Sequence, residues 1–110
     1  MSIQHKDLAA GRWQELPLLE QMAHIGGEVE RAIQWKEKKN ADYSSKACER
    51  ALELLDFALD SPKNRSHLKE IARIREVLVD DFWGANQFAS SDASWRRYFM
   101  EFAYAARRGR

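Results

Sequence analysis

The sequence predicts an all-α protein, an up-and-down four-helix bundle, on three observations. Ala, Leu, Glu, Lys and Arg dominate its 110 residues, and only two prolines and five glycines interrupt them, a composition that favours helix. Apolar residues recur at spacings of three and four in four separate stretches, the periodicity of a helix that buries one face. The connections between those stretches are short, so successive helices run back against one another.

The first helix is expected from Leu16, Leu19, Met22, Ala23, Gly26, Val29 and Ile33, ending near Lys39. Gly26 and Gly27 weaken its middle by roughly 1 kcal/mol each relative to alanine. A glycine pair there implies a close backbone approach or a kink. Asn40 and Asp42 suit a turn and an N-cap, and Tyr43, Ala47, Ala51, Leu54, Leu55 and Ala58 then mark a second helix. It stops at Asp60-Ser61-Pro62, where Ser61 can cap the next helix with proline in its first turn.

The third helix carries Leu68, Ile71, Ile74, Leu78, Val79 and Phe82 on one face, with Lys69, Arg73, Glu76 and Asp80 on the wet side. Gly84 ends it, and Ser90, Ser91 and Asp92 supply a cap for the fourth. The fourth is strongly aromatic, with Trp95, Tyr98, Phe99, Phe102 and Ala106 in register. Residues 1–13 read as a flexible N-terminal arm, 14–106 as a single helical domain, and 107–110 as a basic, frayed tail.

A composition of 45% hydrophobic and 32% charged residues is that of a folded globular domain, and the net charge of +1 excludes a polyanion binder acting by bulk charge. The single Cys48 precludes an internal disulfide and suits a reducing, cytoplasmic setting. No apolar run approaches the roughly 18 residues of a membrane span, so no membrane partner is expected. No glycine-rich phosphate loop follows a strand, and no cofactor is implied. Glu20 and His24 lie one turn apart, but a di-iron bundle needs two Glu-x-x-His pairs and further carboxylates, so no metal site is expected. Glu49, Glu53 and Asp56 read as a solvated face, and Cys48 as a small core residue.

Two surfaces invite a binding role. Arg96, Arg97, Arg107 and Arg108 give the C-terminal quarter a positive excess, a candidate nucleic-acid contact. The aromatics between them keep core spacing, however, which places Arg96 and Arg97 on a solvent side and makes RNA a weak expectation. Residues 35–54 resemble one tetratricopeptide hairpin, with Tyr43, Ala47 and Ala51 at its knob and small-residue positions. Such a module would grip a peptide in a groove lined by Trp35 and Tyr43, although solenoids need about three copies.

The most informative stretch is residues 71–84, which sets Arg75 within an apolar helical stripe. A buried guanidinium is costly unless paired. Arg75-Glu76-Val77-Leu78-Val79-Asp80-Asp81-Phe82-Trp83-Gly84 resembles the motif helix of the HEPN superfamily (higher eukaryotes and prokaryotes nucleotide-binding), whose small prokaryotic members carry Arg-Asn-x-x-x-His-x-Tyr, often followed by Phe-Gly. Lys69-Glu70-Ile71-Ala72 and Trp95 extend the likeness. The resemblance implies a helical bundle that dimerises with motif helices facing each other, and in active members metal-independent RNA cleavage. Only Arg75 carries over. Glu76, Asp80 and Phe82 stand where that motif has Asn, His and Tyr.

An aspartate is ionised near neutrality and is a poor proton donor, and Phe82 has no hydroxyl for a partner nucleotidyltransferase to modify. The resemblance therefore implies a degenerate member without catalytic residues. That member would be a homodimeric accessory or substrate-binding partner of a nucleotidyltransferase, or of a related defence or toxin–antitoxin component. Arg75 is then either the remnant of a phosphate site or the partner of Asp80 or Asp81 across a twofold interface. The acids that replace anion-binding groups favour the second. The alternative is a metal-independent RNA endonuclease in which Arg75 works with His67 or an acid.

Overall fold

The computed structural model describes residues 11–108. Within them the chain is all-α, without strands: α1 (Trp13–Glu15), α2 (Leu18–Glu37), α3 (Ala41–Leu59), a 3-10 stretch (Pro62–His67), α4 (Leu68–Trp83) and α5 (Asp92–Arg108). The four long helices fall where the periodicity places them; α1 and the 3-10 stretch are additions. Residues 1–10 of the expected arm, and Gly109 and Arg110 of the expected tail, lie outside the described residues. Arg107 and Arg108 belong to the last turn of α5 rather than to a frayed tail.

Trp13, expected in the arm, is instead 1% exposed. A polar relay anchors its turn. Gln21 donates to the Trp13 carbonyl at 2.9 Å, Asn64 donates to Gln21 Oε1 at 2.8 Å and to the Ala58 carbonyl at 3.0 Å. Lys63 Nζ donates to the carbonyls of Gln14 and Leu16. The side chains of Gln21 and Asn64 are fully buried, so each bond also removes a desolvation cost. Sequence periodicity does not register Trp13 because one turn is too short to show a repeat.

α2 packs against α3 and α5, and α3 against α4. The α2–α3 hairpin is tight because small residues meet: Ala32, Ala47, Cys48 and Ala51 are fully buried, and Ser44 Oγ donates to the Ala32 carbonyl at 2.7 Å. The turn between them uses Lys39 at φ 62°, and Asn40 caps α3 by accepting from the Tyr43 amide at 3.0 Å. At the α3 exit Pro62 opens the 3-10 stretch as expected, but Ser61 makes no side-chain cap, and its buried hydroxyl has no hydrogen-bond partner.

Three stripe residues are more exposed than their spacing implies: Leu19 at 45%, Tyr43 at 48% and Leu68 at 37%. Each lies near a helix end, where the neighbouring helix no longer covers it. The glycine pair separates cleanly. A Cβ on Gly26 would come 2.8 Å from Phe99 Cβ, whereas one on Gly27 would meet nothing within 4 Å. Gly26 therefore admits an aromatic side chain of α5 rather than another backbone.

α5 is joined to the rest chiefly by aromatic and charged side chains. Trp95 and Phe99 are each 6% exposed. Trp95 Nε1 donates to Asp81 at 2.8 Å and the Tyr98 hydroxyl donates to Glu70 at 2.9 Å, so α4 and α5 face each other across an aromatic layer. Ser91 and Ser94 cap α5 reciprocally, each hydroxyl accepting the other residue's amide at 2.9–3.0 Å.

Candidate functional site

The motif helix α4 begins from the 3-10 stretch and buries Ile71, Ile74 and Leu78. Arg75 lies 100° around from Ile74, at the edge of that face rather than in it. Its side chain is 40% exposed and pairs with Asp56 of α3, Nε to Oδ1 at 2.7 Å. The expectation of a buried guanidinium is corrected on this point. Asp56, expected on a solvated face, is the group that holds it. Sequence alone does not reveal the pair because it joins two helices.

Neither aspartate expected to meet Arg75 does so within the chain. Asp80 projects toward the loop after α4, where its two carboxylate oxygens accept the amides of Gln87 and Phe88 at 2.9 and 3.0 Å. Its carbonyl accepts from Gly84 and Asn86. One residue thus organises the whole turn, which also places Asn86 and Ala89 at φ 54° and 53°. Asp81 instead accepts the Trp95 indole proton. Glu76 is exposed, and Phe82 is half-buried with Lys36 Nζ 5.1 Å from its ring centroid. That lysine also pairs with Asp92 at 2.6 Å, tying α2 to the start of α5.

Arg75, Asp80 and Asp81 are therefore engaged in holding the chain together. His67 stands at the N-cap position of α4, eight residues and about 12 Å of helix rise from Arg75. The two are not assembled into one centre. Among the described residues no group of three or more His, Cys, Asp and Glu is placed to hold a metal ion, and no helix is long and apolar enough to cross a membrane.

The arginines divide. Arg96 forms a fork over α2, meeting Glu30 at 2.9 Å and Glu37 at 3.1 Å. Its hydrogen bond lowers the Glu30 pKa below the ordinary value, with burial acting against the shift. Arg96 is thus a link between helices rather than a free phosphate contact, and Glu30 and Glu37 are partners that a single-helix reading does not reveal. Arg97, Arg107 and Arg108 are exposed, and Arg108 lies over the Tyr104 ring at 5.7 Å. At the hairpin tip, Trp35 and Tyr43 meet edge to face at 4.8 Å, with Lys38 and Lys46 over their rings.

In comparisons with known proteins the chain matches no family model, no curated protein and no solved structure. The assignment of function therefore rests on its own residues.

One further charged centre has a sequence signal. Glu28 is only 3% exposed and meets Arg50 of α3 at 2.5 Å, with Arg31 one turn on also bound to it. Its spacing with Gln21, Ile25 and Ala32 puts it on the buried face, a polar residue at an apolar register. The cysteine follows expectation: Cys48 is buried and unbonded, and burial pushes its thiol pKa up to about 12. A thiol so held is not a nucleophile near neutrality.

Proposed function

We propose that this chain is a non-catalytic, HEPN-like four-helix protein that forms a homodimer through α4 and acts as an accessory or substrate-binding partner of a nucleotidyltransferase or related defence component. The observation that carries the dimer is the outer face of α4. Leu68, Ala72, Val79 and Trp83 make a second apolar stripe at helical spacing, about 120° around the helix from the buried one, with Trp83 45% exposed. Arg75 and Glu76 flank it on either side at mid-length. An antiparallel twofold crossing at mid-length would set Arg75 of one copy against Glu76 of its partner, a self-complementary arrangement. Trp83 would then supply the kind of aromatic anchor that dominates interface energetics.

Support for the non-catalytic part comes from the engagement of Arg75, Asp80 and Asp81 in helix pairing, loop anchoring and indole binding. The nucleotidyltransferase partnership rests on the residue 71–84 resemblance alone. Light scattering coupled to size-exclusion chromatography is the test. Twice the 12.8 kDa chain mass is expected for the wild type, and the monomer mass for Val79→Glu at unchanged helical circular dichroism. A monomeric wild type at tens of micromolar removes the dimer. Arg75-dependent cleavage of total RNA, absent in Arg75→Ala, removes the non-catalytic assignment.

A further inference from the structure

A cleft of about 310 Å³ opens where the start of α2, the start of α4 and the second half of α5 converge, beside the buried face of α4. Its walls are apolar, with Leu19, Met22, Ile71 and Phe102 contributing, and its lining holds two chemistry-bearing groups, His67 and Glu70. That volume lies at the lower end of small-ligand sites, which are apolar with a few convergent polar groups.

Glu70 is held in place. The Tyr98 hydroxyl donates to its Oε1 at 2.9 Å, and the carboxylate is exposed at the cleft rim. Burial, the hydrogen bond and the charge of Glu70 all raise the Tyr98 pKa, so the phenol stays protonated and remains a donor. That hydrogen bond restrains the carboxylate before any ligand arrives, which lowers the ordering cost of binding. No lysine or arginine lines the cleft, so the negative charge of Glu70 is not answered there. His67 sits at the α4 N-cap position without capping the helix through its side chain. That leaves its imidazole as a second polar contact at the same rim.

We propose that this cleft binds a small organic ammonium compound with an apolar body, the ammonium on Glu70 and the body against Leu19, Met22 and Phe102. The fit is one of charge and hydropathy together. An anion of the same shape meets Glu70 unfavourably, and a neutral isostere loses the charge-assisted hydrogen bond. The aromatic ring of Phe102 further suits a cation or an aromatic body. The site is independent of the α4 dimer, since the residues of the outer stripe named above do not line it.

The probe is 2-phenylethylammonium, with 2-phenylethanol and 3-phenylpropanoate as neutral and anionic counterparts, titrated into the full ¹⁵N-labelled chain. Saturable amide shifts are expected at Leu19, Glu70 and Phe102, with the ammonium binding about fivefold or more tighter than the alcohol and no saturation by the carboxylate. Glu70→Gln should weaken the ammonium to the level of the alcohol while leaving the alcohol unchanged. Tyr98→Phe, which frees the carboxylate to rotate, should give a smaller loss. Equal binding of ammonium and alcohol overturns the proposal, as does undiminished binding to Glu70→Gln. So do shifts confined to other residues, or no saturable shift at all.

Discussion

The adjacent glycines of α2 provide a paired experiment on how α5 is held. In Gly26→Ala the added methyl would lie 2.8 Å from Phe99 Cβ and 2.9 Å from Cγ and Cδ1. Cβ is fixed to the α5 backbone, so rotating the ring about χ1 cannot relieve the closest contact; the helices must separate by several tenths of an ångström. Overpacking of this kind costs roughly 1–3 kcal/mol, and the gain in helix propensity returns only about 1 kcal/mol. A net loss of about 1–2 kcal/mol is expected when α5 yields little. In Gly27→Ala the methyl meets no atom within 4 Å, so the propensity gain stands alone and the variant should be about 0.5–1 kcal/mol more stable.

Urea denaturation, followed by circular dichroism at one protein concentration, reads both. With a slope of roughly 1.5 kcal/mol/M, Gly26→Ala should lower the midpoint by about 0.7–1.3 M and Gly27→Ala should raise it by about 0.3–0.7 M. The slopes should be unchanged. If both substitutions stabilise, α5 does not approach α2 as closely as 2.8 Å and the packing argument is wrong.

Three further outcomes follow from the same geometry. Cys48 should resist alkylation in the native protein. Its thiol pKa of about 12 against an ordinary 9.0 leaves a thousandfold less thiolate at pH 8, so a native labelling rate within tenfold of the urea-unfolded rate would contradict its burial. Asp80→Ala should cost about 1–2 kcal/mol by removing the acceptor for two loop amides. Hydrogen exchange at Gln87 and Phe88 should accelerate; unchanged exchange there would show that another group organises the turn.

The Arg96–Glu30 contact should show in the acid limb of the stability curve. Glu30 has a lowered folded-state pKa. Its contribution is therefore complete above the unfolded carboxylate value and is lost as pH falls through the lower folded value. Both side chains are more than a third exposed, so solvent screening keeps the effect on stability small. Carboxyl NMR should place the Glu30 midpoint below those of free surface glutamates, and Arg96→Leu should move it upward; no movement would exclude Arg96 as the cause.

Much of the fold is legible in the chain because helices are local. Periodic apolar spacing placed α2, α3, α4 and α5 to within a few residues, and Asn40, Ser91 and Pro62 took the boundary roles their side chains suit. The chemistry of Cys48 was also legible, since a small thiol beside alanines on a buried face has one destination. Trp13 was not, because a three-residue turn has no period, and its burial depends on Gln21, Asn64 and Lys63 from distant stretches.

The candidate site depended more heavily on the tertiary structure. The sequence by itself placed Arg75, Asp80 and Asp81 on one helix and specified their charges. Which charge meets which was decided only by packing. Asp56 comes from α3, the amides held by Asp80 come from the following loop, and the indole held by Asp81 comes from α5. Likewise Arg96 reads as a free surface cation until α2 brings Glu30 and Glu37 beneath it. Helix periodicity is set by bonds four residues apart and survives in a linear string. Electrostatic partnership is set by distance in space, and exists only once the helices have docked.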